Sequence, residues 1–422
     1  TNLSNAFSTG SSKGSLKYAI LNNTSTSTPS VTNLKGQSFD IVKTGTITST
    51  GTVNILTKQL SNTSQYKYLI VFYIDGSKIG NDVIGASFNG NISADAHQGK
   101  APYEGLAKLI ANDTFKSTKT VTLNSVNYKY DDTHKLMEDT AGNIRYYGAS
   151  PNNYIYFNCS DYNNQTPSTC ETWRIIGVFD GKVKLVRNES IGSYSWDTSA
   201  SDINSGNGVN EWSQADLMKL LNSGYESESV GGSLYWNAKS GTCYNREDNT
   251  TTSCNFTSTG LKNDITRNMI AETTYYTRGH NTVSIFVDAM YDKERVSGTV
   301  VNATPPRTLT WTGKIAIPYP SDYGYAADLS LCQKKLISYN DATCTANNWM
   351  KNILGTNSFG WLLTPDSGLA DDAWIVYSSG VVYHGTGTAF SAHGVVPVLS
   401  LTSELDIGSG TGTSSSPYQL SV

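Results

Sequence analysis

The sequence predicts a β-rich chain of more than one domain: an N-terminal β-sandwich or jelly roll over residues 1–98, a connecting segment over 99–150, and a larger α+β domain over 151–422. Three observations carry this. The chain has 422 residues, more than one ordinary core accommodates. Its N-terminal third is a series of short β-branched and aromatic runs separated by polar turns. All six Cys and all eight Trp fall after residue 150, so the two parts differ in composition.

In the first part, Ser38 to Val42, Gly45 to Thr48, Thr52 to Leu56 and Tyr66 to Ile74 read as strands, and Asp75-Gly76 after the last is a turn signal. Phe88 to Ile92 reads as a further turn-flanked strand. Strands at this spacing suit a sandwich or jelly roll. The polar stretch Thr1 to Ser12 is expected to be held by strand pairing, within the chain or with a neighbour. In the connecting segment, Leu106, Leu109 and Ile110 give Tyr103 to Ala111 a helical spacing.

The third part opens on a hairpin. Trp173 to Phe179 and Lys182 to Arg187 flank Asp180-Gly181, a type I′ turn signal, and Trp173, Ile175 and Phe179 are expected on one face. A helix is expected after Ser213, with Ser213 as N-cap, Leu217, Leu220 and Leu221 buried, and Gly224 beyond its end. Leu261 to Tyr275 is a second helix candidate, with Leu261, Ile265 and Met269 in step. Short strands are expected at Lys314 to Pro318, Trp361 to Leu363, Trp374 to Tyr377, Val381 to Tyr383 and Val395 to Leu401.

Only 16% of residues are charged, against roughly 25% in an ordinary globular protein. Ser, Thr, Asn, Gly and 26 Tyr supply the polarity instead. With a net charge of −4 and no basic stripe, nucleic acid is not an expected partner. No run of 18 apolar residues suggests a membrane span. A chain starting at Thr1 is read as a mature form without its export segment, or as a trimmed piece. The Cys fall into three local pairs, Cys159 with Cys170, Cys243 with Cys254 and Cys332 with Cys344, each enclosing ten or eleven residues rich in Asn, Thr, Ser or Asp. Six Cys allow fifteen connectivities, and proximity favours this one. Such staples, each contributing about 2–3 kcal/mol, suit an oxidising compartment better than free cytosolic thiols do. Zinc is disfavoured by the absence of C-x-x-C and of His near any pair.

The string from Trp173 to Arg187, the segment Tyr319 to Ala326, Trp361-Leu-Leu-Thr-Pro365, the ending Gly394 to Leu401 and the tail Ile407 to Leu420 together resemble a family of surface proteins from Bacilli and related gut Firmicutes. The resemblance covers about Tyr146 to Val422. It implies a C-type-lectin-like fold, related to the formylglycine-generating-enzyme type, whose ligand-facing part lies just before the last strands, here Trp374 to His393. One departure is Val396, where the family carries Arg before the Pro. The related oxidase needs reactive Cys near the C-terminus. The last Cys here is Cys344, so that activity is not expected. Residues 1–98 are similar, more loosely, to β-sandwich modules that precede such domains.

No catalytic constellation stands out. The five His are His97, His134, His280, His384 and His393, and there is no G-x-S-x-G. Glu211 with Asp216, or Glu272 with Asp288, are candidate glycosidase carboxylates, with a solvated face as the competing reading. Calcium would need six to eight oxygens. Asp366, Asp371, Asp372 and Asp322 are candidates, but there is no EF-hand loop, and solvated acids are the expected reading. The candidate ligand-binding set is Tyr377, Tyr383, His384, Thr386, Thr388, Phe390 and His393, because Tyr presents a rigid amphipathic face and Thr adapts its hydrogen bonds. A hairpin that merely covers the core is the alternative. The expectation is therefore a non-enzymatic, extracellular surface protein. It is either a subunit that assembles with identical copies into a filament while displaying a lectin-like domain, or a monomeric adhesin for a glycan or protein. A secreted hydrolase is the distant alternative.

Overall fold

The computed structural model describes residues 2–22, 30–32, 38–50, 68–89, 105–198, 208–246, 249–302, 306–355, 358–385 and 387–422. The fold is β-rich and multi-sheeted, and it divides into two compact units, Thr1–Gly99 and Lys100–Val422.

The first unit holds a four-stranded antiparallel sheet in the order Ser30–Thr32, Ser38–Thr46, Leu16–Asn22, Tyr68–Ile74. The period-2 alternation of Leu16, Tyr18 and Ile20 puts these side chains on one face, where they are buried with Phe7 and Ile47. Phe72 packs on Phe88 at 5.1 Å between centroids. Asn2–Leu3 pairs with Phe88–Asn89, so the N-terminal strand is tied down within its own chain. Among the described residues this pair, the short helix Asn5–Ser8 and the segment with Val83 and Ala86 pack on the sheet's buried face, in place of a second broad sheet. The strand expected at Thr52 to Leu56 lies outside the described residues.

The second unit is built on a nine-stranded sheet. Its order is Ile315–Ala316, Val398–Ser400, Lys182–Arg187, Glu171–Phe179, Ile144–Tyr146, Leu136–Glu138, Val126–Asp131, Lys119–Leu123, with Tyr154–Phe157 also paired to Glu171–Phe179. The segment 99–150 is thus no connector: its strands from Lys119 to Tyr146 extend the sheet of the central hairpin. Their alternation is plain once paired, with Val121, Leu123, Tyr128 and Tyr130 buried, but Thr, Asn and Lys between them make the run read as polar. A second, five-stranded sheet runs Ser193–Tyr194, His393–Gly394, Phe359–Pro365, Ala373–Tyr377, Val382–Tyr383.

The hairpin turns through Asp180 and Gly181 with φ of 48° and 80°, both left-handed as a type I′ turn requires. Its faces are not as expected. Ile175 pairs with Leu185 and Gly177 with Lys184, so Ile176 is an extra residue, a β-bulge. The bulge reverses the alternation: Trp173, Ile175 and Val178 join one core cluster, while Ile176 and Phe179 join the other. Gly177 sits where Ile144–Tyr146 crosses closely, and a Cβ there would meet the Ile144 carbonyl oxygen at 2.2 Å. Gly177→Ala is accordingly expected to lower stability by about 1–3 kcal/mol by overpacking. Urea unfolding checks it, and an unchanged midpoint would show that the two strands can part without cost.

The helices are shorter than their patterns suggest. Glu211, not Ser213, caps the first turn: its carboxylate accepts the Ser213 N–H at 3.1 Å and holds the 3₁₀ turn Trp212–Gln214. Ala215 is extended, so the helix restarts at Asp216–Leu221, burying Leu217, Met218, Leu220 and Leu221. The second helix is Asp264–Met269, capped by Asn263. Thr273–Tyr276 leaves it as a strand against Thr310–Gly313, and Ile265 is exposed. Leu106 and Ile110 are buried on a helical turn, Gly105–Lys108, that widens into a π-helix, Leu109–Thr114. The disulfides are Cys159–Cys170, Cys243–Cys254 and Cys332–Cys344.

Asp322 is not in a polar loop. It lies in the first turn of the helix Pro320–Tyr325 and is 1% exposed. It accepts Lys184 Nζ at 2.5 Å, Arg145 Nη1 at 3.1 Å and the Tyr319 N–H at 3.1 Å. Arg145 also donates to Asp139 at 2.6 Å and lies over the Phe179 and Tyr325 rings. Nearby, Arg295 pairs with Glu294, which also accepts the Ser321 N–H at 2.8 Å. Three carboxylates and three cations thus meet inside the unit. Burial works against the ionised Asp322, yet Lys184 and Arg145 hold its carboxyl down to about 2.

Candidate functional site

Loops converge at one end of the five-stranded sheet. Asp366 follows the strand Phe359–Pro365, Asp372 precedes Ala373–Tyr377, and His384 follows Val382–Tyr383. Asp366 shapes its own loop by accepting the N–H groups of Gly368 at 2.5 Å and Leu369 at 3.1 Å, an Asx-type turn. Its other oxygen pairs with His384 Nδ1, while His384 Nε2 faces the Asn281 carbonyl at 3.1 Å. Both ring nitrogens face oxygen atoms, an arrangement that favours the protonated ring. Its pKa is raised accordingly: burial opposes the charge, and Asp366 overcomes that.

The loop 366–372 is clamped. Asn210 Nδ2 donates to the carbonyls of Asp366, Leu369 and Asp372 at 3.0, 2.8 and 2.7 Å. Arg307 reaches Asn210 Oδ1 at 2.8 Å and the Ala370 carbonyl at 2.7 Å. Trp374 Nε1 donates to the His280 carbonyl at 2.7 Å. Burial and the neighbouring Asp371 push the Asp372 carboxyl up to about 6. His280 is lowered, by burial first and then by Lys293 and His384.

Of the residues proposed from sequence, the structure brings together Tyr383, His384 and Thr388. The Tyr383 and His384 rings stack at 5.3 Å and 19°, and Thr388 forms a bridge with Asp372. Tyr377 stands beside Tyr383, 6.4 Å between centroids, and packs edge-on against Phe359. Phe390 is half-buried, with its carbonyl taking the Ser195 hydroxyl at 2.6 Å. His393 is not at the loops: it is 7% exposed, inside the sheet, with its ring 5.1 Å from Phe359 and 4.5 Å from Trp361. Thr386 and His97 lie outside the described residues.

Asp366, read from sequence as solvated, is 1% exposed and central. Asn210, Asn281, His280 and Arg307 were not anticipated, and only the turn-forming run Asp366-Ser-Gly could have pointed to part of the arrangement. Among the described residues no three His, Cys, Asp or Glu are grouped to hold a metal ion. Of the candidate glycosidase carboxylates, Glu211 and Asp216 hold neighbouring backbone: Glu211 also accepts the Thr308 N–H at 2.6 Å and hydroxyl at 2.8 Å, and Asp216 accepts the Thr198 N–H at 3.1 Å. His134 pairs with Asp131 at 2.8 Å, far along the chain from the loop cluster.

In the first unit the feature that bears on function is an edge. The strand Tyr68–Ile74 carries no charged residue, and among the described residues only Leu16–Asn22 pairs with it. Leu69, Tyr73 and Ile74 are 47%, 42% and 47% exposed. No family model, characterised relative or solved structure matches this chain. Among the described residues no helix is long and apolar enough to cross a membrane.

Proposed function

We propose that this chain is a non-enzymatic extracellular surface protein whose first unit assembles with identical copies while the second, a C-type-lectin-like domain, is displayed. The observation that carries the reading is the uncharged, exposed edge strand Tyr68–Ile74. Among the described residues this strand has a neighbour on one side alone, and over residues 69–74 its outer side is a template for strand addition. The other outer strand of the same sheet, Ser30–Thr32, likewise has a neighbour on one side alone among the described residues, the strand Ser38–Thr46. Joining one edge to the other, copy to copy, is a heterologous contact that propagates as a filament, whereas self-pairing of Tyr68–Ile74 closes as a dimer. The three disulfides are compatible with an oxidising, extracellular setting.

The test is negative-stain electron microscopy of the protein from its native source, with sedimentation of the purified chain. Filaments with a one-subunit repeat are expected. The double variant Leu69→Lys, Tyr73→Lys is expected to weaken association about a hundredfold, by loss of two apolar contacts and mutual repulsion at the edge. Monodisperse single particles of the unaltered protein would sink the reading.

A second reading, an adhesin for a glycan or protein, is favoured by the Tyr383–His384 stack beside Asp366 and Asp372, a flat aromatic face bordered by fixed charges. Loss of binding on Tyr383→Ala, with assembly intact, would favour it.

A further inference from the structure

Among the described residues of the second unit, four cationic side chains are more than nine-tenths buried: Arg145, Arg174, Lys184 and Arg187. Three of them meet carboxylates: Arg145 with Asp139 and Asp322, Lys184 with Asp322, and Arg187 with Glu171 at 3.0 Å. Arg174 meets none among the described residues. It is 5% exposed, and its one hydrogen bond joins Nε to Asn153 Oδ1 at 2.6 Å. Nη2 is buried without a partner. Two rings lie against the guanidinium, Tyr154 with its centroid 3.7 Å away and Trp349 at 4.8 Å. The strand Tyr154–Phe157 places Tyr154 directly opposite Arg174. Trp349 is fixed by its Nε1 bond to the Tyr146 carbonyl at 3.0 Å.

Ring faces attract a cation but do not neutralise it, and they leave its N–H groups without acceptors. A buried charge with no counter-charge is costly, and the other three buried cations here avoid that cost. The geometry points to a carboxylate-binding site at Arg174, walled by Tyr154 and Trp349, whose ligand comes from outside the chain. The hydrogens of a guanidinium lie in its plane, so an acceptor must arrive at its edge. The two oxygens of a carboxylate match that edge, whereas a tetrahedral anion needs more room beside the rings. Tyr154, only half-buried, is the wall that reaches solvent; Trp349 is buried. Burial draws the Arg174 pKa down to about 10, the direction expected of a cation with no carboxylate beside it. The inference is independent of assembly through the first unit.

The test uses the full chain at neutral pH and fixed ionic strength, with sodium chloride exchanged stepwise for sodium acetate. Thermal unfolding and tryptophan emission are followed. A saturable rise in midpoint of about 2 °C or more is expected for the unaltered protein, with a saturable emission change from Trp349. Arg174→Met should abolish both, and Arg174→Lys, which keeps the charge but not the fork, should weaken them. An equal rise in Arg174→Met, or no saturable response in the unaltered protein, overturns the site. The second outcome decides even where the variants fail to fold. A stronger, Arg174-dependent response to sulfate overturns the carboxylate assignment. Glucuronate against N-acetylaspartate, compared by half-saturation, then separates an acidic sugar from an acidic side chain as the source.

Discussion

Asp322→Ala is expected to lower the stability of the Lys100–Val422 unit by about 3–5 kcal/mol, read by urea unfolding with tryptophan fluorescence. The variant leaves Arg145 and Lys184 buried, Lys184 with no carboxylate and Arg145 with Asp139 alone. It also removes the acceptor of the Tyr319 N–H at the start of the helix Pro320–Tyr325. Asp322→Asn keeps the shape and part of the hydrogen bonding and should cost less. Replacing Lys184 and Asp322 together by Met and Leu should recover much of the loss, because the cost of a broken buried pair is mostly that of the charge left behind. The pH dependence has a definite sign. The Asp322 carboxyl is held at about 2, below its usual value of about 3.9. Its contribution is therefore complete above about pH 4 and is lost as the pH falls toward 2. Asp322→Ala should flatten that part of the stability profile. A double variant no more stable than Asp322→Ala would show that packing, not charge, decides this region.

Trp361→Ala should cost a similar amount, about 3–5 kcal/mol. Trp361 is 1% exposed and ends a line of indoles: its ring lies 5.7 Å from Trp196, Trp196 lies 5.1 Å from Trp212, and Trp212 lies 6.1 Å from Trp311, all edge to face. Its Nε1 donates to the Tyr194 carbonyl at 2.9 Å, joining two strands of the five-stranded sheet. Truncation opens a cavity beside His393 and orphans that carbonyl. Trp361→Phe restores much of the volume but not the bond, so its cost should fall near 1–2 kcal/mol. Equal losses for the two variants would place the energy in the hydrogen bond and not in the packing.

What could be read from the sequence followed the strength of local signals. The hairpin from Trp173 to Arg187 was legible because Asp180-Gly181 can hardly be anything but a type I′ turn between such runs. The three disulfides were legible because each pair closes a short polar loop. The β-rich class followed from many such runs. The bulge at Ile176 was not legible: nothing in Trp-Arg-Ile-Ile-Gly marks which residue is extra until Gly177 is seen beneath Ile144. Nor were the helix ends, because the capping carboxylate of Glu211 is also held by Thr308, ninety-seven residues away. The strands of 119–146 were hidden by their polar outward residues.

The loop site divides in the same way. Tyr383 and His384 stand out by residue type and, through the resemblance, by their place before the last strands, and the structure stacks their rings beside Asp366. Asp366 reads as solvated because an acid after a strand ordinarily is, and only the fold brings His384 and Asn281 to it. His393 was misplaced because a His flanked by Ala and Gly gives no sign that Phe359 and Trp361 enclose it.

The continuity of the nine-stranded sheet also decides how the chain can be divided. A fragment begun at Pro151, where the Cys- and Trp-rich part starts, would lose Asp139 and Arg145 along with four strands. It would keep Lys184, Asp322, Glu294 and Arg295 and expose the bulged rim of Glu171–Phe179 to any other strand in solution. A fragment begun near Gly105 keeps both the rim and the charges covered. The smallest piece able to stand alone is therefore set by residues whose composition looks like that of a tether.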